Sequence, residues 1–178
     1  MAASRPPFFK DPDFFRPQTL WLLVATLLNL TALLVPIFQV MLQGALAVSV
    51  YGGTYAFNMD GQLSAAAGDQ LLAPGLLAGF FMAGVLLGLY ALAQFRQRKS
   101  QVRLVGMLVV YQFMVLGFLA YISVTLPSDV ARLAGEAGVS LEVAFGAAWP
   151  VLAALLAILA RMGIKRDLKK LRSADRFW

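Results

Sequence analysis

Five acidic residues, Asp60, Asp69, Asp129, Glu136 and Glu142, lie between long apolar runs and are the first candidates for chemistry. Paired carboxylates can bind calcium or share acid–base work. Their spacing matches no ligand loop, so solvated loop charge accounts for them. The chain has 0 His and 0 Cys. That removes the usual haem and zinc ligands, disulfides, iron–sulfur ligation and thiol–disulfide chemistry. No catalytic residue, metal site or cofactor is expected within this chain, and it reads as not an enzyme.

Inside the apolar runs the notable polar groups are two amides. Asn29 lies 13 residues beyond Arg16 and Gln112 lies 9 beyond Arg103, which gives both a similar, near-midplane depth. An Asn29–Gln112 hydrogen bond between helices, worth about 0.6–2 kcal/mol, is expected as packing glue. Small residues recur at helical spacing: Gly75, Gly79 and Ala83, then Gly84 and Gly88, and roughly Ala153, Ala157 and Ala160. Such ridges let helix backbones approach closely, within one bundle or against another subunit.

These residues need elements to hold them, and composition says where those elements sit. Hydrophobic residues make up 60% of the 178 and charged ones 13%, against about 25% charged in soluble domains. No Asp, Glu, Lys or Arg occurs in 17–59, 70–95, 104–128 or 143–160. A span needs roughly 20 apolar residues, so four transmembrane helices are predicted over 18–42, 74–95, 102–125 and 141–163. The apolar stretch from Leu20 to Leu42 is longer than a signal-peptide core, and it reads as an uncleaved first span.

The net charge of +6 is distributed on one side of these runs. Arg5, Lys10 and Arg16 precede the first run. Arg96, Arg98, Lys99 and Arg103 fall between the second and third, and Arg161, Lys165, Arg166, Lys169, Lys170, Arg172 and Arg176 follow the fourth. Only Arg132 falls opposite. Cytoplasmic segments keep an excess of Lys and Arg, so both termini are predicted to be cytoplasmic, in a multi-pass protein of a bacterial inner membrane. The basic face suits anionic headgroups. Without aromatic residues interleaved in a soluble module, it does not suit nucleic acid.

The connecting segments carry further signals. Residues 1–17 form a Pro/Phe-rich lead in which Pro6, Pro7, Pro12 and Pro17 exclude a regular helix. Residues around Gly52-Gly53 read as a small extracytoplasmic β-hairpin. Pro36 is expected to kink the first helix and Pro127 to follow the third. A short surface helix is expected over 127–140, with Ser140 capping the fourth span. The tail, 164–178, reads as a basic amphipathic helix. The fold class is therefore an all-α, four-helix membrane bundle, one domain over 1–178, carrying a small hairpin between helices one and two.

Both ends of the chain carry a resemblance. Ile164-Lys165-Arg166-Asp167 with Arg172-Ser173-Ala174-Asp175-Arg176, and the opening Arg16, Gln18 and Thr19-Leu20-Trp21-Leu22-Leu23, resemble an uncharacterised family of four-span inner-membrane proteins of Bacteroidetes-type bacteria. That family's tail often ends in R-S-A-D-R, and its domain has no assigned function. The resemblance implies a compartment and no reaction. The function expected is a non-catalytic accessory or scaffold subunit of a larger inner-membrane complex, whose partners are lipid and other membrane subunits. The competing expectation is a small homo-oligomeric transporter, channel or lipid-handling protein.

Overall fold

In the computed structural model, residues 16–52, 54–57, 74–134 and 139–174 are described. Residues 1–15 of the N-terminal lead, the acids Asp60, Asp69 and Glu136, and Arg176 lie outside them. Helix α1 spans Pro17–Thr31. Arg16 before it is extended, at φ −67° and ψ 143°, the conformation that a following proline imposes. Pro17 then opens the helix at a position where a missing N–H costs nothing.

Helix α1 stops where a kink was predicted. A turn over residues 32–35 leads into strand β1, Pro36–Leu42, so the expected helix over 18–42 divides into a helix, a turn and a strand. Two physical reasons account for this. Pro36 disfavours helical backbone at Val35, and Ile37, Phe38 and Val40 suit a pleated surface. Strand β2 covers Ala45–Tyr51 and β3 covers Tyr55–Phe57. Gln43 and Gly44, at φ 52° and 82°, make the turn between β1 and β2, the two-residue hairpin geometry in which both central residues take positive φ. The hairpin expected around Gly52-Gly53 joins β2 to β3, with Val50 opposite Tyr55.

Helix α2 spans Pro74–Ala93 and helix α3 spans Arg98–Ala134. The short helix expected after Pro127 is instead the end of α3, which runs through that proline. Burial explains the continuity. Val115, Leu119, Ile122, Leu126 and Val130 form one stripe against β1 and β2 in a single core cluster, and that packing outweighs the one backbone bond a proline removes.

Strand β4, Val139–Val143, follows. Ser140 was expected to cap the fourth helix; it pairs instead with Met41 of β1, and Glu142 pairs with Gln39. The sheet is antiparallel in the order β3-β2-β1-β4. A 3-10 turn over Phe145–Ala147 then leads into helix α4, Ala148–Ala174. Gly146 lies so close to the Pro36 carbonyl that a side chain there would collide with it.

The chain is mostly helical, with the helices side by side and the sheet at one end. A second core cluster, including Leu22, Ala91, Val105, Leu108, Ala157 and Ile164, fills the bundle towards the other, basic end. Among the described residues, three segments are long and apolar enough to cross a membrane: Leu76–Ala93, Arg98–Arg132 and Phe145–Lys169. Their outward faces carry bare apolar side chains such as Leu86, Val110, Val124 and Leu155, as lipid-facing helices should.

Candidate functional site at the basic end of the bundle

The two chain segments that carry the family-like pattern meet here. Arg16, at the N-cap of α1, donates from Nη1 to Asp167 Oδ2 of α4 at 3.0 Å. Gln18 Nε2 donates to the same oxygen at 2.6 Å. Asp167 thus closes the start of the chain's first helix onto the end of its last. Thr19, Phe95, Arg98, Gln101 and Ile164 complete the crevice around it. Gln101 is buried and its Nε2 has no hydrogen-bond partner among the described residues. Both members of the ion pair keep partial solvent access, so its contribution is modest, about 0.5–1 kcal/mol.

Beside this junction lies an open recess of about 650 Å³ lined by Arg96, Gln97, Arg98, Lys99, Ser100, Arg103 and Leu168. Arg96 also sits over the Phe95 ring, 5.6 Å from its centroid. Of the basic face read from the sequence, Arg96, Arg98 and Lys99 line the recess, while Lys165, Arg166 and Lys169 are exposed on α4. Lys170 and Arg172 fall within α4 by backbone alone. Cationic groups around an open concavity are suited to binding anions.

A third feature shares Arg103. A groove of about 530 Å³ is lined by Arg103, Gly106, Met107, Val110, Tyr111, Met114 and Arg161. Sequence reading treated Arg161 as a border charge. The fold instead lays its guanidinium against α3, where a Cβ at Gly106 would come within 3.3 Å of Arg161 Cζ, Nε and Nη2. No feature of the sequence pairs positions 106 and 161, which lie on different helices; only the crossing of α3 and α4 brings them together.

Asn29 and Gln112 are both buried but are not bonded to each other. Asn29 Nδ2 donates to the Ala25 carbonyl of its own helix at 3.0 Å. Neither Nε2 nor Oε1 of Gln112 has a hydrogen-bond partner among the described residues, so the expected Asn29–Gln112 bond is absent. Asn29 instead packs beside Gly84 of α2, and Thr26 packs against Gly88. Gly84 and Gly88 therefore sit where α2 meets α1, whereas Gly79 and Ala83 are exposed and Gly75 is placed by backbone only. The polar bond that does cross between α2 and α3 is from the Tyr111 hydroxyl to the Phe80 carbonyl, at 2.6 Å.

Among the described residues, no group of three or more His, Cys, Asp or Glu converges as a metal site would require. No curated protein and no solved structure matches the chain. One family model does, over residues 15–177, a range that starts one residue before Arg16 and ends beyond Asp167. The chain belongs to DUF4293, a family defined by a domain of unknown function.

Proposed function

We propose that this chain is a non-catalytic accessory or scaffold subunit of a larger complex in a bacterial inner membrane. It crosses the bilayer four times, with both termini and the basic end in the cytoplasm. The one-sided Lys/Arg distribution supports that orientation. Helix α1, at 15 residues, is about 22 Å long, short of the roughly 30 Å of hydrocarbon. Its crossing is completed by the turn and the start of β1, whose backbone is paired on both sides by β2 and β4, as non-helical backbone at that depth requires.

The observation that carries the subunit reading is the sheet. Segments following α1 and α3 join into one platform whose outer strand, β4, is an edge strand among the described residues. Val143 and Phe145 beside that edge are 70% and 75% exposed. Unpaired edges and bare apolar side chains are what a partner covers. Purification in mild detergent, with mass spectrometry of co-purifying proteins, tests this. A stoichiometric membrane complex is expected, and a clean monomer without partner contradicts the subunit reading.

A second reading, a small homo-oligomeric transporter, channel or lipid-handling protein, draws on the groove between α3 and α4. A defined homo-oligomer in the same purification, free of other chains, favours it.

A further inference from the structure

We infer that the groove between α3 and α4 is a binding site for one anionic phospholipid, its phosphate held by Arg103 and Arg161 and an acyl chain lying along Met107, Val110 and Met114. This stands whether or not the chain serves as an accessory subunit, because it depends only on the helices lying in a bilayer.

Charge comes first. Arg161 is half-buried, its Nε is enclosed, and that atom has no hydrogen-bond partner among the described residues. No described acidic residue forms an ion pair with Arg161 or Arg103; the Arg16–Asp167 pair is separate. A guanidinium removed from water without a counter-anion is costly, whereas the same fork matches two oxygens of a phosphate. Gly106 lets the guanidinium lie close against α3, where an added Cβ would approach it to 3.3 Å.

Shape and polarity then select the source of the phosphate. Positions 103, 106, 107, 110 and 114 fall at helical spacing on one face of α3, with the arginine at its basic end. Below Arg103, Met107, Val110 and Met114 are 59%, 69% and 51% exposed. A soluble anion gains nothing from that apolar floor, while a phospholipid matches both parts at once. The depth also agrees: both arginines lie at the border of the apolar run, where lipid phosphates lie.

The test uses the full chain in mild detergent and native mass spectrometry with added phosphatidylglycerol, phosphatidylethanolamine or inorganic phosphate. One phosphatidylglycerol should be retained at least tenfold more strongly than phosphatidylethanolamine. The Arg103→Ala/Arg161→Ala double variant should lose that preference. Lys165→Ala/Lys169→Ala removes the same charge outside the groove and should keep it. Val110→Trp, which leaves both arginines in place and obstructs the floor, should weaken binding and guards against misfolding of the double variant. Equal loss in the lysine variant would mean diffuse attraction and would overturn the site. So would unchanged binding in both groove variants, or displacement of the lipid by millimolar inorganic phosphate.

Discussion

Gln112 is the residue whose chemistry is least accommodated by its surroundings. It is fully buried with both amide atoms unpaired among the described residues, and each such group costs about 1–3 kcal/mol. Gln112→Leu is therefore expected to leave detergent stability unchanged or raise it by about 1 kcal/mol, read as a melting shift. A double-mutant cycle between Asn29 and Gln112 should give a coupling below about 0.5 kcal/mol; a larger value would restore the bond that the structure lacks. Asp167 behaves differently because it accepts from two donors. Asp167→Ala should cost about 1 kcal/mol, more than Arg16→Ala, because it removes an oxygen that accepts from both Arg16 and Gln18. Equal effects would mean that Gln18 contributes nothing. Both partners of this junction were visible in the sequence as patterned ends of the chain, yet nothing local says that the ends meet.

At the scale of elements, α3 shows how tertiary burial overrides local signals. Its face towards the sheet holds Leu126, 4% exposed, while Val124 on the opposite side is 76% exposed. Leu126→Ala is expected to lower stability by about 2–4 kcal/mol and Val124→Ala by less than about 0.5 kcal/mol, measured by thermal melting in one detergent. Similar costs at both positions would mean that α3 does not bury this face in the core on the approach to Pro127. The apolar runs made the helices legible. The strands were harder to read. Residues 36–42 are as apolar as a span, and periodicity alone does not separate a buried strand from a buried helix. Strand β4 owes its conformation to β1, a partner almost 100 residues away, so Ser140 read locally as a helix cap. Gly52-Gly53 was legible because a tight turn leaves a local signature.

At the scale of the whole molecule, polarity is segregated along the bundle axis, with the described cations other than Arg132 at one end and the sheet at the other. The proposed lipid site, the basic recess and the Asp167 junction all lie at the basic end, and the open β4 edge lies at the sheet end. The central claim is that these two ends face opposite sides of the membrane. The absence of cysteine leaves no background thiol in the chain. Single cysteines at Gln97 and Lys165 on the basic end, and at Thr54 and Ser140 on the sheet end, can each be challenged in spheroplasts with a membrane-impermeant maleimide. The account predicts labelling of positions 54 and 140 in intact spheroplasts, and of 97 and 165 only after lysis. Labelling of position 97 or 165 from outside, with 54 and 140 protected, would contradict it.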